Sequence, residues 1–124
     1  MNRTKILILD DEENFMRLIK LNLEQTGKYE VKTENKGLFG FIAAKEFKPD
    51  LILLDIMMPD ADGGDVCNQL KNDKDTKDIP IVFLTAIVSK DEIKDDNSII
   101  AGRSFIAKPV DMEELIDDIE KNIC

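Results

Sequence analysis

Three four-residue apolar blocks punctuate the chain: Ile6-Leu7-Ile8-Leu9, Leu51-Ile52-Leu53-Leu54 and Ile81-Val82-Phe83-Leu84. Continuous apolar runs of this length, cut off by polar residues, predict strands buried on both faces of a parallel sheet. Tyr29, Val31 and Thr33 alternate with charged residues and predict a strand covered on one face. Ser104-Phe105-Ile106 predicts a short fifth strand. Between the strands, apolar residues recur at helical spacing. Phe15, Leu18, Ile19 and Leu23 form one such face, with Gly27 as the stop. Leu38, Phe39, Ile42, Ala43 and Phe47 form the next, closed off by Pro49. After a loop with Pro59 and Gly63, a third helix carries Val66, Cys67 and Leu70. The stretch from Ser89 to Ser98 is polar. Its Asp95, Asp96, Asn97 and Ser98 suit a helix interior poorly, so a fourth helix there is expected to be short, bent or partly unwound. The last helix has the clearest start, Asp111 as N-cap with Glu114 three residues on. Met112, Leu115, Ile116, Ile119 and Ile123 make its apolar face.

Five strand-helix units in succession predict an α/β protein, a doubly wound parallel sheet with helices on both faces. Its 124 residues fit one domain, 1–124, with no internal repeat or linker. Hydrophobic residues make up 43%, enough for an ordinary core without disulfides or a structural metal. A net charge of −9 repels phosphate backbones, so no direct nucleic-acid binding is expected. There is no histidine, which excludes Ser-His-Asp and Cys-His catalysis and leaves carboxylates, Lys, Thr and Ser to do any chemistry. Cys67 reads as a small core residue and Cys124 as the frayed terminal one; two isolated cysteines make neither a disulfide framework nor a zinc site. Ile6–Leu9 is too short for a signal peptide or a membrane span, so a cytoplasmic location without membrane contact is expected.

Parallel α/β sheets bind ligands outside the carboxyl ends of their strands. The residues standing there are Asp10 and Asp11 after the first strand, Asp55 after the third, Thr85 after the fourth and Lys108, followed by Pro109, after the fifth. Glu34 and Asn35 end the second strand and are less telling. Each alone is an ordinary turn, cap or surface residue. Together they put three carboxylates on one edge of one sheet, which costs free energy unless a cation is bound or a proton shared. Magnesium suits a few carboxylates, backbone carbonyls and several waters. A metal and a lysine are what a transferring phosphoryl group needs, because its equatorial oxygens carry the charge. Asp55 is then a candidate nucleophile that forms an acyl phosphate, with the other acids holding the metal and Thr85 donating its hydroxyl to a phosphoryl oxygen.

The segments Ile6-Leu7-Ile8-Leu9-Asp10-Asp11-Glu12, Leu51-Ile52-Leu53-Leu54-Asp55-Ile56-Met57-Met58-Pro59, Leu84-Thr85-Ala86 and Lys108-Pro109 resemble, in order, the signature segments of the response-regulator receiver family. The resemblance runs over essentially the whole chain. It implies a flavodoxin-like, five-stranded parallel sheet of strand order 2-1-3-4-5. It implies Asp55 as phospho-acceptor, Asp10 and Asp11 on Mg2+, and the backbone carbonyl of Met57 as a further metal ligand. Thr85 matches the switch hydroxyl, Lys108 the phosphoryl-binding lysine and Phe105 the switch aromatic; Phe105 is equally a core residue of its strand. The Lys108-Pro109 bond is expected to be cis. Implied partners are a sensor histidine kinase or phosphotransfer protein upstream and an output domain or partner protein downstream, and a phosphorylation-linked dimer is allowed. Such a domain is a signalling switch that catalyses its own phosphorylation and dephosphorylation rather than a conventional enzyme. The chain departs from the family pattern in two places. Gly102-Arg103-Ser104-Phe105 is one residue shorter than the usual approach to the aromatic, and Phe105 has no hydroxyl. A haloacid-dehalogenase-type phosphatase would carry Asp-x-Asp after the first strand, where this chain has Asp10-Asp11-Glu12. A degenerate receiver that only binds partners would lack Asp55 or Lys108, and both are present.

Overall fold

Each apolar block becomes a strand in the computed structural model, which describes residues 3–58, 61–85, 99–100, 103–107 and 110–123. Strand β1 is Thr4–Leu9, followed by helix α1, Glu13–Gln25, and β2, Tyr29–Glu34. A short 3-10 helix, Gly37–Phe39, leads into α2, Gly40–Phe47, and then β3, Leu51–Asp55. Two-residue strands β4, Met57–Met58, and β5, Ala61–Asp62, precede α3, Gly63–Lys71. Strands β6, Ile81–Thr85, β7, Ile99–Ile100, and β8, Arg103–Ala107, come before the last described helix, here α4, Met112–Ile123. The fourth-helix region lies outside the described residues, as does Lys108-Pro109.

Five strands, all parallel, were expected. Among the described residues the main sheet keeps these five, parallel and in the expected order, as β2-β1-β3-β6-β8, and adds a sixth, β7, antiparallel to β8 at the edge. Ile99 pairs with Ser104 and Ile100 with Arg103. The two β-branched residues Ile99 and Ile100 are the signal for β7, and the polar stretch ahead of them obscures it. The loop expected after β3 contains a hairpin, in which Met57 pairs with Asp62 and Met58 with Ala61.

The central strands are buried on both faces because alternate side chains feed two cores. Ile6, Ile8, Leu51, Leu53, Val82 and Leu84 join α1 and α4 on one side. Leu7, Leu9, Ile52, Leu54, Ile81 and Phe83 join α2 and α3 on the other. Register at the start of β3 is pinned by Asp50, whose Oδ2 accepts the Lys5 N–H at 2.8 Å while its own N–H donates to the Lys5 carbonyl at 2.7 Å. Helix α1 ends as expected at Gly27, which takes φ 78°, a conformation that favours glycine. At the start of α4 the Asp111 carboxylate accepts the Glu113 N–H at 3.0 Å, an N-cap bond that falls on the second helical residue.

Two helical faces differ from expectation. On α1 the buried residues are Met16, Ile19 and Leu23, whereas Leu18 is exposed. On α2 the buried residues are Gly40, Ala43 and Ala44, while Ile42, and Leu38 and Phe39 just before the helix, face solvent. A β-carbon at Gly40 would lie 2.7 Å from Leu9 Cδ1. The helix therefore approaches β1 through its small residues, Ile42 is turned outward, and Phe41 and Phe47 lie partly buried against the core on that side of the sheet.

Candidate functional site

The site grows from the place where β1 stops. Asp10 continues the ladder by one bond, its N–H donating to the Glu34 carbonyl at 3.2 Å. That keeps Asp10 on the sheet edge and fully buried. Its Oδ1 accepts the Glu12 N–H at 2.9 Å, a two-residue side-chain turn that bends the chain into α1. Asp11, inside the turn, is exposed. In the neighbouring strand Leu54 lies beside Leu9, so the next residue, Asp55, is brought level with Asp10. Asp55 is held from the other side by register with Leu84 and by the Ile56 N–H, which donates to the Leu84 carbonyl at 3.1 Å. It is 5% exposed.

These strand ends bring one carboxylate oxygen from each of Asp10, Asp11 and Asp55 within 4.8 Å of one another. Two of the three residues are removed from water, so their charges are poorly screened and the crowding is correspondingly costly. The donor set is all hard oxygen, which fits magnesium or another small divalent cation rather than zinc or copper. Around magnesium, ligand oxygens about 2.1 Å from the ion are separated by about 3–4 Å. The observed spread is slightly wider, so it suits a site in which water intervenes at one carboxylate or the side chains close in by less than 1 Å.

The other half of the strand-end row is set by backbone register. Thr85 ends β6, next to Leu84, and lies opposite Ala107 at the end of β8. Phe105 pairs with Phe83 within the same strands. Met57 is in β4, two residues past Asp55. Lys108 follows Ala107 directly in sequence and lies outside the described residues. The backbone thus puts Asp10, Asp11, Asp55 and Thr85 on one edge of one sheet.

Glu34 and Asn35 prove more involved than their sequence signal implied. The Glu34 carbonyl is the acceptor that holds Asp10. The Asn35 side-chain amide donates to Glu13 Oε1 at 2.8 Å and ties the loop after β2 to the first turn of α1. Both lie in a shallow groove with Arg17 and Lys20. The signal that could have found them is position: they occupy the same strand-end row as Asp10.

The signature of the response regulator receiver domain family matches residues 6–120. The chain is 39% identical over 113 residues to the DNA-binding dual master transcriptional regulator RpaA of Synechocystis, covering 90% of this chain and 46% of RpaA. It is 33% identical over 117 residues to the polar-differentiation response regulator DivK of Brucella anthropi, covering 93% of this chain and 92% of DivK. The chain therefore spans about half the length of RpaA and nearly all of DivK. Among solved structures, a CheY-like response regulator receiver domain protein from Methanospirillum hungatei superposes with a TM-score of 0.83 at 26% identity, over 98% of this chain and 94% of the other.

Proposed function

Because this chain belongs to the response regulator receiver domain family, with the flavodoxin-like fold of that family, we propose that Asp55 is its phospho-acceptor and that phosphorylation there sets the state of the switch. The observation that carries this reading is the buried Asp55 carboxylate at the end of β3, gathered with Asp10 and Asp11 within 4.8 Å. An Asp55 oxygen attacks the phosphorus of a phosphohistidine or small phosphodonor, the bond to the donor breaks, and an acyl phosphate forms on Asp55. Asp10, Asp11 and Asp55, with the Met57 carbonyl, are the residues to hold Mg2+, which supplies charge neutralisation for the phosphoryl oxygens. Asp10 is fixed for this role by its bond from Glu12 N–H. Lys108 contacts the phosphoryl group and Thr85 donates its hydroxyl to it, while Phe105 follows the movement of Thr85. The partners on this reading are a histidine kinase or phosphotransfer protein that supplies the phosphoryl group and an output domain or protein that reads the switch, all in the cytoplasm. Among the described residues no helix is long and apolar enough to cross a membrane.

The test is direct. The protein incubated with acetyl phosphate and magnesium is expected to gain the mass of one phosphoryl group. Asp55→Asn is expected to abolish the gain, and chelation of magnesium to suppress it. A gain of the same size in Asp55→Asn would move the acceptor elsewhere.

A further inference from the structure

Leu38, Phe39 and Ile42 form a continuous apolar ridge where the 3-10 helix runs into α2, and they are 65%, 50% and 53% exposed. The ridge is fixed in place, because the opposite face of the helix is seated on β1 through Gly40, Ala43 and Ala44. Exposed apolar clusters of this kind on a small domain mark contact sites. The charges around the ridge narrow the partner. Although the chain carries a net charge of −9, the ridge has an exposed lysine at each end, Lys36 before Gly37 and Lys48 after Phe47. Among the described residues neither lysine is in an ion pair; Lys45 is the one on this element that is, reaching Asp73 at 3.3 Å and Asp75 at 3.4 Å. Glu46 is the single acidic residue on the helix, one turn beyond Ile42.

A second copy of the chain fits this pattern badly. Lys36 and Lys48 lie equally far from Ile42 in sequence. Antiparallel two-fold pairing about Ile42 would set Lys36 opposite Lys48, and parallel two-fold pairing would set each lysine against its own copy. Both match like with like. Three half-exposed side chains also offer on the order of 300 Å2, short of the roughly 800 Å2 per partner of a stable interface. We infer that this ridge docks, weakly and transiently, an amphipathic helix of another protein with an apolar stripe and a carboxylate at each end.

The probe is a synthetic amphipathic peptide of about 14 residues, with leucines at i, i+3 and i+7 and glutamates at both ends, and a matched peptide with lysines at the ends. Each is titrated into the labelled domain and followed by amide-proton NMR. The glutamate-ended peptide is expected to saturate with a Kd on the order of 100 µM, with shifts centred on residues 36–48. Leu38→Ser with Ile42→Ser, both at exposed positions, should weaken it at least about tenfold while leaving the melting temperature nearly unchanged. Lys36→Glu with Lys48→Glu should reverse the preference in favour of the lysine-ended peptide. Equal binding of both peptides to wild type, shifts centred elsewhere, or no saturation at millimolar peptide would overturn the inference. So would concentration-dependent dimerisation of wild type that the serine variant loses, because it would give the ridge to a second copy.

Discussion

Gly40 lies against Leu9, the residue immediately before Asp10, and the contact leaves no space for a β-carbon. Its φ is that of an ordinary right-handed helix, so proximity and not backbone freedom demands glycine here. Gly40→Ala would bring a methyl group to 2.7 Å from a buried leucine methyl. Leu9 is fully buried and has little room to give. The expected outcome is a loss of about 1–3 kcal/mol, the usual cost of overpacking, read as a lower denaturation midpoint in urea. Unchanged stability would mean that Leu9 turns aside freely. At this scale the sequence was informative about charge and silent about closeness. Asp10, Asp11 and Asp55 could be selected because each stands where an apolar run ends. Gly40 could not, since nothing in its sequence neighbourhood distinguishes a glycine under a strand from one in a turn.

The helices show which patterns are legible and which mislead. Helix α4 was readable because its large apolar residues Leu115 and Ile119 are also its buried ones. Helix α2 follows its pattern only in part because size and burial part company there: Gly40, Ala43 and Ala44 meet the sheet, Phe41 and Phe47 are partly buried against the core, and Ile42 meets water. Strand β2 holds another feature hidden from pattern. It is an end strand, and carbonyls of Lys28 and Glu34 face β1. The N–H of Val31 therefore faces the open edge, where Glu24 Oε2 accepts it at 3.1 Å. An open edge with free donors invites pairing with another chain. Glu24→Ala should cost about 1–2 kcal/mol and increase light scattering during thermal unfolding, whereas Glu24→Gln, which keeps an acceptor, should stay near wild type. Identical behaviour of the alanine and glutamine variants would remove this role. On α4, Asp118 has its carboxyl held above its ordinary value of 3.8 by partial burial, opposed by Lys121 and reinforced by Glu114 and Asp117. With the folded pKa above the unfolded one, the folded state holds the proton more firmly. Stability from this group falls as pH rises from 3.8 through the folded pKa, and the full penalty is present at neutral pH. Asp118→Asn should therefore be more stable than wild type at pH 7 by about 0.5 kcal/mol, with the difference vanishing below pH 3.8. A pH-independent difference would assign the effect to packing.

At the scale of the whole molecule the sheet is the connection between the site and the surfaces that could report its state. Its parallel strands were visible as apolar blocks because burial on both faces removes the polar alternation. Their lateral order came from family resemblance, since no residue in a block says which block lies beside it. The antiparallel β7 was missed for a related reason: a two-residue strand has no period to read. The register makes the path from Asp55 short. Asp55 pairs with Leu84, Leu84 with Ile106, and Thr85 with Ala107, so the strand that carries Asp55 is bonded to the one that ends at Thr85, and that strand to the one that carries Phe105. A phosphoryl group on Asp55 can shift the population of a second state only if some contact differs between the two states. The Thr85 hydroxyl is the candidate for that contact. Removing it leaves all three acids, Asp55 included, in place, so Thr85→Ala should accept phosphate from acetyl phosphate to the same extent as wild type. Its response should shrink, with the coupling reduced by about 1.4 kcal/mol, or about tenfold in the equilibrium between states. Amide-proton NMR separates the two effects. Phosphorylated wild type should differ from its free form along β6 and β8, whereas phosphorylated Thr85→Ala should show changes concentrated around Asp55 and much smaller ones along β8. Equal changes along β8 in both proteins would mean that the signal leaves Asp55 by another route, with the β4–β5 hairpin, joined to Asp55 through Ile56, as the next element to test.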